Sequence, residues 1–547
     1  MLFLLLSPAA AQHNTADNRP VVRLANGRLR GIQEGNIAVF RGIPYARPPI
    51  GDLRWREPQA PAAWSGVRDA SLPPKACSQN PTALGAFLGP LARRYGAAYT
   101  PEPIESSEDC LYLNIWTPVW PPKAPAPIMV WLHGGSNSFG SGMQKTYDGT
   151  TLVRHGVLVV TINYRLGVLG FFSHPQLTAE SPHHSSGNYG LLDQLAALRW
   201  VQANLGQFGG DPKNVTLFGE SAGAIDAGLL MSSPLSAGLF RRVISESGPA
   251  FGLGPARTLS EAENFGSAIG HRAAAGSSSD QLSALRRLSP EALTQLALDV
   301  SKNEFKGDTS SGVVDGWVLP ETPARAFASG RQQKVGLLIG NNGRELSAFR
   351  IGAGDKKNSG GAGGGDAIKK LSITVRPLYG NWTNVAIAMY LGKAIFNKDA
   401  AIDQASNDML MACPVGAMAS LTHGAGRQTF VYQFMRSIPG RGEADLGAFH
   451  SIEVPYVFDA FEEQTWSWLP VADVDRALSS TIQAYWTNFA KNGDPNAPGL
   501  PPWPSWDQNT QGYVEFGKDG SVVARKDFPP LFCHLAPNRL KQQLGAY

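Results

Sequence analysis

Between residues 111 and 248, the chain alternates short apolar runs with segments whose apolar residues recur at helical spacing. The apolar runs lie at 111–116, 128–135, 156–165, 214–218 and 241–248. Segment 190–204 has helical spacing, and no Pro or Gly follows its first residue. Strands that are apolar along their whole length are typical of a parallel sheet covered on both faces. We therefore predict an α/β fold with a mostly parallel central sheet flanked by helices.

The rest of the chain adds elements to this pattern without dividing it. We predict hairpin-like strands at 21–46, surface loop at 47–105, helices at 255–335, strands at 334–342 and 430–434, and a long helix at 474–492. The Gly-rich segment 351–366 favours a surface loop over a functional lid. No Pro/Ser-rich linker separates two halves, so we expect a single catalytic domain over 20–537 with inserted helical parts.

Charge and hydropathy exclude several classes of partner. The net charge of +4 is weak for 547 residues, and no basic run with interleaved aromatic residues argues for nucleic acid. No apolar run reaches the length of about 18 residues that a membrane span needs. Residues 1–11 resemble the end of a secretory signal peptide, with an apolar run before Ala9-Ala10-Ala11, although the usual positive start is missing. The alternative is a disordered apolar tail.

The four cysteines are Cys77, Cys110, Cys413 and Cys533. No two of them form a C-x-x-C pair, which argues against a zinc site or a redox centre. In an exported protein they indicate two disulfides, for which the sequence allows three connectivities. Together with the signal-like start, they predict a secreted or periplasmic protein.

The segment Gly219-Glu220-Ser221-Ala222-Gly223 fits the pattern G-x-S-x-G. It follows an apolar strand and opens a helix, which is the context in which this motif exposes a nucleophilic serine on a sharp turn. The start of the helix also directs N–H groups towards the oxyanion of acyl transfer. We predict Ser221 as a covalent nucleophile.

A serine nucleophile needs a base, and the base needs an orienting acid, which follow in the order Ser, acid, His in such folds. Four histidines follow Ser221 in the chain: His271, His423, His450 and His534. His450 is the best candidate base, because it lies in a Gly-led loop that runs into an apolar segment. Glu345 follows the apolar strand at 334–342 and is the candidate acid.

Several long segments resemble the type B carboxylesterase and cholinesterase family of α/β-hydrolases. They are FRGIPYARPPIGDLRW at 40–55, SEDCLYLNIW at 107–116, NYRLGVLGFF at 163–172, GNYGLLDQLAALRWVQANLGQFGGDP at 187–212, GESAGA at 219–224, VVDG at 313–316, GNNGRELSAF at 340–349 and HSIEVPYVF at 450–458. The resemblance covers nearly the whole chain. It is specific for the family and much less so for a substrate.

The resemblance implies a role for particular residues. It implies a Ser221–His450–Glu345 triad, in agreement with the choices made from the residues alone. It also implies an oxyanion hole, a supporting role for Glu220 through hydrogen bonds, and two disulfide pairings. The oxyanion donors would be the backbone N–H groups of Gly135, Ser136 and Ala222, and the disulfides would be Cys77–Cys110 and Cys413–Cys533.

The chain departs from the family pattern at two places. The usual H-G-G-G-F reads His133-Gly134-Gly135-Ser136-Asn137 here, so we expect Asn137 to bind substrate and to favour polar or anionic esters. Asp226 stands where family members commonly carry Ser. As a supporting residue it would favour the charged form of His450; alternatively, it pairs with a buried base or stabilises the helix start.

The leading interpretation is a carboxylic ester hydrolase that works through an acyl-serine intermediate, with no metal and no organic cofactor. Its partner is a small-molecule ester. The main rival is a binding or adhesion protein on the same scaffold, since fold does not fix function. Such relatives typically lack the serine, whereas all three triad residues are present here. A lyase or transferase use of the same acyl-enzyme is a further alternative.

Overall fold

The computed structural model describes residues 19–251, 257–274, 280–305, 311–352, 376, 383–393, 398–529 and 533. An eleven-stranded sheet runs through this part of the chain. Its strands are β1 Ile32–Glu34, β2 Ile37–Pro44, β3 Tyr112–Thr117, β4 Ala126–Leu132, β5 Leu158–Ile162, β6 Gly210–Glu220, β7 Arg242–Glu246, β8 Gly336–Asn342, β9 Thr429–Phe434, β10 Tyr513–Phe516 and β11 Val522–Arg525.

The strand order in this sheet is β11-β10-β9-β8-β7-β6-β4-β5-β3-β2-β1. Neighbours from β10 through to β5 pair in parallel, and the pairs at the two edges are antiparallel. The predicted mostly parallel sheet is confirmed. Smaller sheets are formed by Val21–Leu24 with Gly27–Arg30 and Val67–Asp69, by Ala76–Cys77 with Ser106–Ser107, and by Arg257–Thr258 with Val313–Val314.

Helices cover both faces of the large sheet. The α-helices are Ala83–Arg94, Thr150–Val153, Gly167–Gly170, Pro175–Glu180, Tyr189–Asn204, Ala222–Ser232, Leu259–Ala273, Gln281–Arg287, Pro290–Val300, Pro323–Ala328, Glu345–Gly352, Thr383–Lys393, Lys398–Asn407, Cys413–Gly424, Glu443–Leu446, Val454–Phe458 and Asp473–Asn492. Short 3-10 helices lie at Gly51–Leu53, Lys145–Tyr147, Leu205–Phe208 and Pro234–Ser236, and π-helical turns at Ser301–Phe305 and Asp408–Ala412.

Strand β4 shows why the central runs are apolar without interruption. Val130 and Leu132 pack into one hydrophobic cluster, whereas Met129 and Trp131 pack into a second one on the other face. Successive side chains of a strand point to opposite faces, so a strand buried on both sides needs an apolar residue at every position.

Two parts of the fold differ from the sequence prediction. Segment 47–105, predicted as loop, contains the helix Ala83–Arg94, which buries Leu88 and Leu91 although Pro90 lies inside it. Strands β10 and β11 were not predicted, because only alternate residues of β10 are buried and β11 is largely exposed. Most of the Gly-rich segment 351–366 and all of residues 1–11 lie outside the described residues.

Two disulfides join distant parts of the chain. The structure contains Cys77–Cys110 and Cys413–Cys533, which span 33 and 120 residues. All four cysteines are buried. Within the described ranges, no helix is both long and apolar enough to cross a membrane.

The parallel strands bring four loops to one edge of the sheet. The carboxyl ends of β4, β6, β8 and β9 lead into the segments that contain Gly135, Ser221, Glu345 and His450. Because parallel strands end at the same edge, residues far apart in sequence can meet there.

Candidate active site

Ser221 occupies a strained turn between β6 and the helix Ala222–Ser232. Its φ of 54° and ψ of −124° are unfavourable for a residue with a side chain. The turn is held because its N–H donates to the Glu246 carbonyl at 2.9 Å. A Cβ at Gly223 would lie 2.0 Å from the Leu132 carbonyl oxygen, so this position needs glycine. The half-buried serine hydroxyl therefore stands at the carboxyl edge of the sheet.

The structure brings Ser221, His450 and Glu345 into one hydrogen-bonded chain. Nε2 of His450 lies 2.8 Å from Oγ of Ser221, and Nδ1 lies 2.6 Å from Oε2 of Glu345. His450 is 3% exposed and Glu345 is fully buried. A ring whose Nδ1–H donates to Glu345 leaves Nε2 free to accept the serine proton.

Glu345 is fixed from several directions. The backbone N–H of Asn342 donates to its Oε1 at 2.6 Å, and its own N–H donates to Oδ1 of Asn407 at 3.1 Å. The side-chain amide of Asn342 also donates to the Phe449 carbonyl at 2.9 Å, next to His450. Asn342 thereby ties the end of β8 to the loop that carries the histidine.

Three backbone N–H groups near Ser221 have no acceptor among the described residues. They belong to Gly135, Ser136 and Ala222. Gly135 has a φ of 107°, and a Cβ there would lie 2.1 Å from the Phe139 carbonyl oxygen. Unpaired N–H donors beside a hydroxyl group are the arrangement that an oxyanion hole requires.

Buried carboxylates shift the proton affinity of His450. Burial alone opposes the charged imidazolium, but Glu220 and Glu345 outweigh it and raise the pKa of His450 to about 9. Oε1 of Glu220 lies 3.3 Å from Nε2 and accepts a hydrogen bond from the Ser451 hydroxyl at 2.5 Å. Burial in turn raises the pKa of Glu220. The site therefore stabilises positive charge on the imidazole ring.

Comparison with known proteins decides the family. The sequence model of the Carboxylesterase family matches residues 18–529. The chain belongs to the carboxylesterase family. It is 36% identical to fumonisin B1 esterase of Sphingopyxis macrogoltabida, across 93% of this chain and 88% of that protein. It is 35% identical to human cocaine esterase, across 90% and 86%.

Solved structures agree with this membership. The carboxylesterase EST55 of Geobacillus stearothermophilus superposes with a TM-score of 0.77 at 30% identity, covering 95% of this chain and all of EST55. The expected α/β-hydrolase fold is confirmed, and so is the expectation of a serine carboxylesterase. In the described part of this carboxylesterase, no group of three or more His, Cys, Asp or Glu side chains is placed to hold a metal ion.

Glu453 of this carboxylesterase belongs to the buried hydrogen-bond network of the site, which the sequence did not reveal. Its carboxylate accepts hydrogen bonds from the Ser247 hydroxyl and the Asn342 side chain. Burial, together with Glu345, raises the pKa of Glu453 to about 8. Glu453 stands three residues after His450, but Ser247 is 206 residues away from it, and no motif links the two.

Asn137 does not face the substrate side in this carboxylesterase, contrary to expectation. It is 3% exposed, its Nδ2 donates to Oδ1 of Asp226 at 2.9 Å, and its Oδ1 accepts from the Tyr164 hydroxyl at 3.1 Å. The side-chain amide is therefore engaged inside the protein and shielded from an ester in the solvent. Ser136 is the exposed residue of this loop.

The partners of Asp226 among the described residues are neutral. Its carboxylate accepts from the amides of Asn137 and Gln194, at 2.9 and 2.6 Å. The groups that raise the pKa of His450 most are Glu220, Glu345 and Glu453. Burial raises the pKa of Asp226 itself to about 7, against the opposing effect of the two amides.

Two of the other histidines considered lie on helices and contact neither Ser221 nor Glu345 among the described residues. His271 is on the helix Leu259–Ala273, with Nδ1 3.1 Å from Nε2 of Gln281. His423 is in the last turn of the helix Cys413–Gly424. His534 lies outside the described residues.

Proposed function

We propose that residues 20–537 form one catalytic domain, which hydrolyses carboxylic esters through an acyl intermediate on Ser221. The observation that carries the proposal is the chain of short contacts from Ser221 through His450 to Glu345. These groups come from three separate loops and meet at the edge of the sheet where the amides of the predicted oxyanion hole are unpaired.

The first step forms the acyl-enzyme. Oγ of Ser221 attacks the ester carbonyl while Nε2 of His450 takes its proton, and the N–H groups of Gly135, Ser136 and Ala222 stabilise the oxyanion. The carbonyl–oxygen bond to the alcohol then breaks, and the alcohol leaves with the proton from His450. Glu345 holds the ring in the required tautomer throughout.

The second step releases the acid. Water gives a proton to Nε2 of His450 and attacks the acyl carbon of the intermediate, and the bond to Oγ of Ser221 breaks with return of that proton. Glu220 lies close to the same nitrogen, so its charge would help to stabilise the imidazolium in both steps.

The substitution Ser221→Ala tests this proposal. With an uncharged aryl ester we expect kcat to fall by roughly a millionfold, as for other triad losses. The far-ultraviolet circular dichroism should be unchanged, because the half-buried hydroxyl contributes little to packing. Ser232→Ala is a matched control, since the Ser232 hydroxyl donates to the Gly228 carbonyl at the far end of the helix Ala222–Ser232. A kcat of Ser221→Ala within tenfold of the parent value would refute the assignment of Ser221 as the nucleophile.

We also propose a preference for esters with a polar or anionic group next to the reacting carbonyl. Asn137 no longer supports it, so the proposal rests on the exposed side chain of Ser136 in the predicted oxyanion loop. A hydroxyl there can bond a polar group of the substrate, and an apolar substrate would leave it to water. The relatives' names include fumonisin B1 and cocaine esterases, so the family alone selects no ester.

A panel of matched esters tests the preference. The ratio of kcat/KM for an ester with a hydroxyl or carboxylate beside the carbonyl to that for its alkyl isostere should exceed one. It should fall by about fivefold in Ser136→Ala, which keeps the backbone N–H but loses one hydrogen bond. An unchanged ratio would remove Ser136 from substrate selection. Fumonisin B1 belongs in the panel because of the relative named for it.

We propose that the protein is exported to the periplasm or the medium. The support is the pair of disulfides, which persist in oxidising compartments, together with the signal-like residues 1–11. Fractionation of a bacterium that expresses the full chain should find the esterase outside the cytoplasm, cleaved after Ala11. Activity confined to the cytoplasm, with residues 1–11 retained, would contradict export.

A further inference from the structure

The loop that carries two of the predicted oxyanion donors has an unfavourable backbone. Ser136 and Asn137 have φ values of 54° and 52°, in the left-handed region. Residues with a Cβ rarely adopt this region, although Asn tolerates it better than most. Two such residues in succession need support from their surroundings.

Asn137 is fixed at three atoms. Its carbonyl accepts from the Gly167 N–H at 2.6 Å, and its Oδ1 accepts from the Tyr164 hydroxyl at 3.1 Å. Its Nδ2 donates to Oδ1 of Asp226 at 2.9 Å, and the other oxygen of Asp226 accepts from Nε2 of Gln194 at 2.6 Å. These bonds orient the side chain next to the strained backbone.

Burial of the Asp226 carboxylate costs free energy of folding. It is fully buried, and within the described ranges its carboxylate meets two neutral amides and no cation. An uncompensated buried charge opposes folding, and its pKa, raised by burial to about 7, reflects that cost. A small neutral residue would avoid it. A neutral residue would form a weaker hydrogen bond with Asn137 than the charge-assisted one that Asp226 accepts.

The position of Asp226 connects the two halves of the predicted oxyanion hole. It lies on the helix Ala222–Ser232, whose first residue contributes one N–H, and it contacts the loop that contributes the other two. Correct placement of all three donors relative to Ser221 therefore depends on the distance between this helix and the loop.

We propose that Asp226 is a positioning residue, which holds the oxyanion loop in its left-handed conformation through Asn137. The inference rests on the proposed acyl-serine mechanism. It explains why Ser136, Asn137 and Asp226 depart from the family pattern together: a glycine at 136 adopts positive φ freely, whereas a serine there needs the anchor. Asp226 stabilises the transition state by placing the donors, and it does not touch the substrate.

The experiment compares the loss of Asp226 in two backgrounds. Four proteins are made: the parent, Asp226→Ala, Ser136→Gly, and the double variant. For each protein, kcat and KM are measured with one aryl ester, and the concentration of active sites is determined by titration with an organophosphonate. This normalisation removes any effect of a misfolded fraction.

In the parent background, Asp226→Ala should lower kcat by about 30-fold with KM changed less than about threefold, because misplaced oxyanion donors affect the transition state. In the Ser136→Gly background, the same substitution should lower kcat by less than about fivefold, because glycine removes the strain. Equal losses in the two backgrounds would overturn the proposal. A loss of affinity alone, seen in KM, would overturn it as well.

A second variant keeps the test usable if Asp226→Ala does not fold. Asp226→Asn keeps an acceptor for Asn137, and its new N–H₂ can face Oε1 of Gln194, which has no partner among the described residues. We expect Asp226→Asn to lower kcat by only about threefold in the parent background and to leave kcat unchanged in the Ser136→Gly background. The same loss in both would contradict the proposal. The acyl-serine mechanism is tested separately by Ser221→Ala, which should abolish the activity of the parent.

Discussion

The carboxylate of Glu220 lies 3.3 Å from Nε2 of His450, the same ring nitrogen that faces the hydroxyl of Ser221. A negative charge at this distance favours the imidazolium form. It stabilises the transition state, in which the ring carries the serine proton. It also makes the resting ring easier to protonate, and this has a measurable consequence for the pH dependence.

We predict that the acid limb of kcat/KM lies above pH 6.5, the usual pKa of histidine. The base must be neutral in the free enzyme, and its pKa is raised towards about 9, so activity is lost as pH falls through that raised value. Glu220→Gln should move the limb down by about one pH unit.

A matched control for Glu220 is Glu246→Gln. Glu246 is also buried, but its carboxylate bonds the Trp486 indole and is not among the groups that act on His450. Its substitution should leave the acid limb in place. A limb at or below pH 6.5 in the parent, or an equal shift in both variants, would show that Glu220 does not set the pKa of the base.

Glu345→Gln should lower kcat by roughly 10⁴-fold, as loss of the orienting carboxylate does in comparable triads. The amide keeps the size of the side chain, but it can present a donor to Nδ1 and favour the wrong tautomer. Steady-state kinetics with an uncharged ester measure the effect. A loss below tenfold would mean that Glu345 does not orient His450, whatever their contact.

The buried ion pair between Arg165 and Asp193 should contribute to stability. The guanidinium bonds both oxygens of Asp193, at 2.7 and 2.8 Å, and the side chains are at most 4% exposed. Arg165→Met leaves a buried carboxylate without its cation, so the free energy of unfolding should fall by about 3–5 kcal/mol. Urea unfolding measures it. In Arg165→Met/Asp193→Leu much of this loss should be recovered, and a double variant no more stable than the single one would contradict the account.

Removal of the long disulfide should destabilise the protein. In the chain-entropy model, a bridge across 120 residues is worth about 4–5 kcal/mol. Cys413→Ser/Cys533→Ser should therefore lower the thermal unfolding midpoint, and reductant should lower that of the parent. Peptide mapping without reductant should find Cys77–Cys110 and Cys413–Cys533, whereas free thiols or a Cys110–Cys413 link would contradict the structure.

Parts of the site that depend on local sequence could be predicted. The turn at Ser221 follows from a strand, two glycines and a helix start that are adjacent in the chain. Glu345 and His450 could be proposed because Glu345 follows an apolar strand and His450 precedes an apolar segment, in a known chain order. These features need no knowledge of packing between distant segments.

Features that depend on packing could not be predicted. The inward orientation of Asn137 is set by Tyr164 and Asp226, which lie 27 and 89 residues away. The pairing of Glu453 with Ser247 crosses 206 residues. The helix Ala83–Arg94 forms in a Pro- and Gly-rich segment because burial of its apolar side chains outweighs weak intrinsic propensity.

In the proposed mechanism, Ser221 becomes covalently bonded to the acyl group of the ester. The most direct measurement is mass spectrometry of the protein after reaction with an organophosphonate, followed by peptide sequencing. We predict one adduct per chain, on the peptide that contains Ser221, formed in step with the loss of esterase activity and absent in Ser221→Ala. An adduct on another residue, or full inhibition without any adduct on Ser221, would contradict the account.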